Sequence, residues 1–474
     1  MPKWLIARPA GFRGTALWAV TELPTRAITP LCVARLLARL LLWPSQPASA
    51  LDAWAAVEVA FFLLYTLRKA HLSRQPAQIP TFALDRQPAE PSKLLGIVTF
   101  LELLAEAIGP GGDRAVEVAE WFMYKGGEAR SPAWAELRAG NLGEWLAWAY
   151  WNADPAQVPA TELEPLVGAV ERWVREGAAE LPALPPGYNA ALFACRLTLD
   201  GLRCSHRPLF AYVVTHLACA AAAYASLRSR GFVRRRAGSL SFWHKPGAGA
   251  STDPRPLVFL GGLGVGLVSY LRLIDELEHH FPGRALLLVE LEHLCMRLPL
   301  QHVPSPQDSV NALRHALELC GAEGAHFICH SFGTVVLSWL LRLAPEGCVQ
   351  AATFVDPIPF LLFKSNVALV RYFVAEELGI SLSLHRHFSW GHNVLHPRLL
   401  ARTPASVVLS EFDAYVPSAA VARHLAEQAP HVCVSTLHGH AHSGFCFSSG
   451  GPRAVAEAAV RADKEAAARR RKAE

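Results

Sequence analysis

The chain has 474 residues, 52% of them hydrophobic and 18% charged, with a formal net charge of +5. That length exceeds one ordinary domain, and the apolar balance allows a sizeable core while leaving membrane contact open. The small positive charge comes with no zinc-finger or aromatic-basic motif, which argues against a nucleic-acid partner. The 10 cysteines form no C-x-x-C pair, which argues against a zinc site or a compact disulfide framework.

In chain order, the first segment carries scattered arginines (Arg8, Arg13, Arg26, Arg35, Arg39), with Glu22 the only acid before Asp52. This weak transit-peptide signature leaves organelle import open, and the lack of an apolar run with a small-residue cleavage site predicts an intracellular location. From Leu31 to about Arg230 the apolar residues recur in helical clusters such as "ALDAWAAVEVAFFLLYTLRKAHL" and "NLGEWLAWAYWNA", separated by Pro-rich joints. Residues 1–235 are therefore predicted to be a helical N-terminal region. Within it, Pro208 to Leu227 holds no Asp, Glu, Lys or Arg and is long enough to span a bilayer. Arginines flank it at 203 and 207 and at 228, 230 and 234–236, while its alanines and the central His216 favour a buried or interfacial helix over a spanning one. Membrane association is the expectation, with a membrane surface as a partner.

Residues 236–456 change rhythm. "SLSFWHK", "PLVFLGG", "RALLLVEL", "AHFICHS", "AATFVDP", "ASVVLSEFD" and "HVCVSTLHG" are strand-like runs with helical patterns between most of them, which predicts an α/β class with a mostly parallel sheet flanked by helices. The stretch of about 357–397 is too long for a plain crossover and rich in aromatics and leucine, so a helical lid is expected there. Residues 457–474 read as a charged helical tail.

The chemistry centres on "HFICHSFGTVVLSWLL", residues 326–341, where a strand-like run gives way at Ser331 to helical spacing. A serine on such a turn can lift its Oγ out of the sheet while the helix N-terminus faces developing negative charge. Gly333 matches the last glycine of G-x-S-x-G, and Cys329 replaces the first. Acyl transfer also needs a base, an acid to orient it, and oxyanion donors. Asp413, ending "ASVVLSEFD", is the preferred acid, with Asp356 in "ATFVDPIP" the alternative. His442 in "STLHGHAHSGFCF" is the preferred base, with His440 the alternative. His438, His440 and His442 alternate as metal ligands can, but no H-E-x-x-H and no nearby acid accompany them, so no metal is expected. The glycines of "FLGGLGVGLVSY" allow close backbone approach. Phe332 N–H is one expected oxyanion donor and Leu263 N–H the second, with Gly262 its alternative. The turn lacks the G-x-G-x-x-G register, and no cofactor is expected.

Taken together, the Gly-rich turn, "CHSFG", "EFDAYVP" and "HAHSGF", in that order, resemble the α/β-hydrolase superfamily of the Ser, Asp, His type. "GGLGVGLVSYL", "VELEHL", "VDPIPFLLF" and "NLGEWLAWAYW" further resemble a largely uncharacterised fungal and algal group with a long helical N-terminal region, whose Gly-rich turn usually begins His-Gly where this chain has Gly261-Gly262. The resemblance and the motifs imply a serine hydrolase cleaving a small-molecule or lipid-like hydrophobic ester. The other readings open at this point are an acyltransferase using the same residues and a hydrolase-like scaffold without turnover at a membrane.

Overall fold

The computed structural model describes residues 12–74, 101–295, 303–365 and 393–473, apart from 103, 106–107, 109–111, 127–129, 179, 203, 205, 250–252 and 363; for 12–25 it describes the backbone alone. Two long helices come first, α1 (Phe12–Leu42) and α2 (Ala50–Arg74), packed against each other. Arg35 Nε meets Asp52 at 2.9 Å, and Asp52 accepts from Ser49 N at 2.8 Å, so one carboxylate both caps α2 and ties it to α1. Helices α3 (Arg114–Ala119), α4 (Ala139–Trp151) and α5 (Ala160–Gly177) follow. An antiparallel pair, Phe122–Tyr124 with Leu192–Ala194, interrupts the region expected to be all helical; strands of three residues are too short to leave a period in the sequence.

Helix α6 (Leu209–Ser229) begins after Pro208, which has no side-chain oxygen to cap it. Glu58 of α2, itself buried, does so instead, accepting from Leu209 N and Phe210 N at 2.7 Å each. Both α2 and α6 are long and apolar enough to cross a membrane, and most of each is exposed. Trp54, Val57, Leu63 and Leu64 on α2, and Phe210, Val214 and Leu217 on α6, face out from the protein.

Eight strands then form one sheet: β1 (Val233–Ala237), β2 (Leu240–Lys245), β3 (Leu257–Leu260), β4 (Leu286–Glu290), β5 (Ala325–His330), β6 (Val349–Val355), β7 (Ala405–Ser410) and β8 (Cys433–Leu437). Their order across the sheet is β8-β7-β6-β5-β3-β4-β2-β1, with β3 to β8 parallel and β2 antiparallel to both its neighbours. The boundary expected at 235 therefore cuts a strand. "VRRRA" was a basic flank by sequence, and its arginines instead occupy the exposed edge of the sheet, where charge discourages further pairing.

Helices α7 (Leu271–His280), α8 (Pro306–Glu318), α9 (Phe332–Leu343), α10 (Ser418–Gln428) and α11 (Gly451–Ala473) cover the two faces. On one face α7 and α11 pack Leu273, Ile274, Val455 and Ala459 against Phe259 and Ile328. On the other, α8, α9 and α10 share a single core with Trp121, Trp145, Leu142 and Val170 of the N-terminal region. The N-terminal region thus has two parts: residues around α3 to α5 belong to the sheet's own core, whereas Tyr65 and Leu72 of α2 form, among the described residues, a separate small cluster with Leu202 and Val303. The expected tail at 457 is also revised, because α11 is one helix from Gly451 whose alanines at 456, 459, 462 and 466 are buried. Of the expected lid, residues 366–392 lie outside the described residues; at its base Phe360 and Leu361 are buried, and Lys364 Nζ meets Glu117 of α3 at 2.7 Å.

Candidate active site

The parallel register brings the carboxyl ends of five strands level. Leu260 pairs with Cys329, His330 with Val355, Val355 with Val408, and Ser410 with Leu437, so each loop that follows starts from the same edge. Ser331 stands between β5 and α9 at φ +52° and ψ −119°, a left-handed conformation that costs a non-glycine residue about 1–3 kcal/mol. Its own N–H donates to Val355 O at 2.9 Å, and Thr334 N–H returns to Ser331 O at 2.9 Å, which pins the sharp turn from both sides. A side chain at Gly333 would come within 2.5 Å of Leu260 O, so helix and strand approach too closely for any Cβ there.

His442 arrives from the loop after β8 and Asp413 from the loop after β7. His442 Nε2 lies 2.9 Å from Ser331 Oγ, and His442 Nδ1 lies 2.6 Å from Asp413 Oδ2. A carboxylate only accepts, so it fixes the proton on Nδ1 and leaves Nε2 to accept from the serine hydroxyl. The other carboxylate oxygen of Asp413 accepts from Tyr415 N and Val416 N at 2.8 Å each, which fixes the acid's rotamer. A serine on a strand-to-helix elbow of a mostly parallel sheet, followed in chain order by Asp and His from later strand ends, is decisive. The chain has the α/β-hydrolase fold.

The other predicted residues fall into place around this line. Asp356, the rival acid, is fully buried after β6, with φ +45°. It accepts from Ser410 N at 2.8 Å, Ser410 Oγ at 3.0 Å and Ser443 N at 3.2 Å, and His442 Nδ1 is hydrogen-bonded to Asp413. Burial, with Asp413 nearby, pushes its carboxyl above the usual range, against the pull of His442 and those hydrogen bonds. His440 turns away, its Nδ1 on His438 O at 2.8 Å, and the exposed His438 faces Glu411 at 3.5 Å, so the three alternating histidines do not converge. Among the described residues, donor atoms of Asp356, Asp413 and His442 lie within 4.8 Å of one another as metal ligands would. Both ring nitrogens of His442 are already engaged, which leaves that group two carboxylates and no free imidazole.

Of the oxyanion candidates, Gly262 N–H is donated to Tyr270 Oη at 3.0 Å and so is spent. No described residue accepts the N–H of Leu263 or of Phe332, and Phe332 is the first residue of α9, where a helix leaves its amides unpaired. Tyr270 and His330 carried no role by sequence, although His330 lies inside the serine motif. Tyr270 Oη meets His330 Nδ1 at 2.8 Å behind the turn.

No family model and no curated protein matches the sequence. Among solved structures, naproxen esterase from Bacillus subtilis is 17% identical over 52% of this chain and 97% of that one, with a TM-score of 0.37. A membrane phospholipase A described as a bacterial virulence factor is 12% identical over 54% and 93%, with a TM-score of 0.39. Carboxylesterase CesB from Bacillus subtilis is 14% identical over 48% and 92%, with a TM-score of 0.35. The fold assignment stands on the strand order and the elbow, not on these distant likenesses.

Proposed function

We propose that this chain is a serine hydrolase that cleaves a hydrophobic ester. The observation that carries the reading is the hydrogen-bonded line from Ser331 Oγ through His442 to Asp413 on a strained elbow. In the proposed cycle Ser331 Oγ attacks the ester carbonyl as His442 Nε2 takes its proton, and the imidazolium is held by Asp413. The tetrahedral oxyanion is received by the N–H groups of Leu263 and Phe332, which sit at the turn and at a helix N-terminus. His442 then gives its proton to the leaving alkoxide, an acyl-enzyme forms on Ser331, and water activated by the same imidazole releases the acid. Asp356 orients the loop carrying His442 and is not the acid of the triad.

The ester is inferred to be lipid-like and met at a membrane. In support, α2 and α6 expose large apolar side chains along lengths sufficient to cross a bilayer, and Arg228 in the last turn of α6 and Arg235 on the following strand β1 stand exposed. Exposed apolar helix faces gain by burial in acyl chains, and each basic residue near an anionic surface adds about 1 kcal/mol.

Labelling by a fluorophosphonate probe tests the central claim, because it requires an activated serine. The wild-type chain should label and Ser331→Ala should not, with turnover of a short-chain p-nitrophenyl ester lost alongside. Labelling that survives Ser331→Ala would remove the nucleophile, and a folded wild-type chain that never labels would return the scaffold reading.

A further inference from the structure

The Gly-rich turn is held from behind by a continuous line of hydrogen bonds. Gly262 N–H donates to Tyr270 Oη at 3.0 Å, and that oxygen meets His330 Nδ1 at 2.8 Å. A hydroxyl that accepts from an amide has its own hydrogen left to give, so His330 Nδ1 accepts it and the ring proton sits on Nε2. His330 Nε2 faces Ser443 Oγ at 3.2 Å, with Asp356 Oδ2 3.8 Å away. Ser443 N–H donates to Asp356 at 3.2 Å, and Asp356 is anchored on β7 through Ser410. The line therefore passes through the residue before Ser331 and the residue after His442, and it ends on the second strand-end acid.

We propose that Tyr270 and His330 are positioning residues for hydrolysis, which hold the Gly261–Leu263 turn so that Gly262 N–H points away from the substrate and Leu263 N–H points toward it. This rests on the serine-hydrolase reading above. Gly261 and Gly262 carry no side chains with which to hold the turn, and a backbone tether follows it at Gly264, whose N–H donates to Leu294 O at 3.1 Å. The ring of Tyr270 occupies the space beside Gly261, where an added Cβ would come within 2.7 Å of it, and the ring is itself packed on Phe259 at 4.8 Å between centroids. Tyr270 and His330 are both buried; burial pushes the tyrosine hydroxyl up and the histidine down, so both stay neutral and the direction of the line is kept. His330 is not a second base, because both of its ring nitrogens are engaged and neither faces Ser331 Oγ. Asp356 gains its purpose here as well: it anchors the loop of His442 through Ser443.

The test compares Tyr270→Phe, His330→Asn and His330→Leu with the wild type, using a short-chain p-nitrophenyl ester for kcat and KM and a fluorophosphonate for the rate of serine labelling. Tyr270→Phe keeps the ring packing and removes only the hydroxyl. Since loss of a direct oxyanion donor costs about 100- to 1000-fold, a residue one step behind it should cost about 10- to 100-fold in kcat. KM should stay within about threefold, and labelling should slow with kcat. His330→Asn places Oδ1 where Nδ1 accepts and should recover most of the rate, whereas His330→Leu should match or exceed the Tyr270→Phe loss. The double variant Tyr270→Phe with His330→Leu should be no slower than His330→Leu alone, because both cut the same line. An unchanged kcat in folded Tyr270→Phe, or a loss confined to KM, overturns the inference while the hydrolase reading stands. A wild-type chain that does not label takes down both. If Tyr270→Phe does not fold, the contrast between His330→Asn and His330→Leu decides, and equal rates in that pair overturn the inference.

Discussion

Helices α9 and α6 are made of nearly the same material and live in different surroundings. Phe332–Leu343 has one charged residue and is buried from Phe332 through Leu340, wedged between the sheet and the N-terminal core. Leu209–Ser229 is also almost free of charge, yet only Tyr212, Ala223 and Leu227 are buried, because protein covers it on one side alone. Apolar composition thus says that a helix avoids water and not which other medium receives it. The first helix holds Ser331, the proposed nucleophile, at its N-terminus, and the second leaves its outer faces exposed, where the proposal places a bilayer.

If the two helices serve separate devices, damage at one should leave the other's readout untouched. The largest expected effect is at the triad. Asp413→Asn should lower turnover by about 10⁴-fold, since an amide favours the wrong imidazole tautomer; that figure is the one known for the corresponding change in a serine protease triad. Vesicle binding, measured by flotation on anionic liposomes, should not change. Asp356→Asn should cost far less turnover, and the reverse ranking would make the β6 acid the triad member.

Paired leucine truncations put the contrast between the helices on one scale. Leu337, 0% exposed in α9, should cost about 2–5 kcal/mol of folding stability on replacement by alanine, read from denaturant unfolding. Leu217, 62% exposed in α6, should cost no more than about 0.5 kcal/mol in the same assay. Leu217→Glu should instead weaken liposome flotation while turnover of a soluble ester persists. Equal destabilisation by the two alanine variants would mean that α6 is covered by protein, and the bilayer face would be lost.

The smallest effect concerns the opposite edge of the sheet. Asp463 on α11 meets Arg255 at 3.1 Å and Arg284 at 3.2 Å, and burial there is outweighed by the His326 ring facing it at 3.5 Å and by the two guanidinium groups, so its carboxyl stays below the usual range. A carboxylate lowered by folding contributes stability that is complete above its unfolded pKa of about 3.9 and is lost as pH falls toward the folded value. Thermal midpoints should therefore drop on the acid side of about pH 4, and Asp463→Asn should flatten that limb at the expense of stability at neutral pH.

How legible was this in the sequence? Strands β3 to β7, buried on both faces, read as plain apolar runs, and their ends carry Ser331, Asp356 and Asp413 where the runs stop. Strand β1 was hidden because three arginines at an exposed edge leave no alternation to read. Helix α11 passed for a charged tail because its buried stripe is alanine, small and weakly apolar, between Arg, Lys and Glu on the outer face. The residues of the proposed triad could be named because their spacing follows a motif, but the line behind them could not. Tyr270 joins Gly262 across a loop and His330 faces it from another strand, and only the folded sheet brings such partners together.

The joint between α6 and β1 carries a mechanical consequence. Only Arg230, Gly231 and Phe232 separate the helix from the edge strand, with Arg230 bound to Asp275 of α7 at 2.7 Å and Phe232 fully buried. So short and so anchored a joint limits how far the helix can swing relative to the sheet. If α6 enters a lipid leaflet as proposed, its depth would set the height and tilt of Ser331 above it, as on a fixed mount and not a tether.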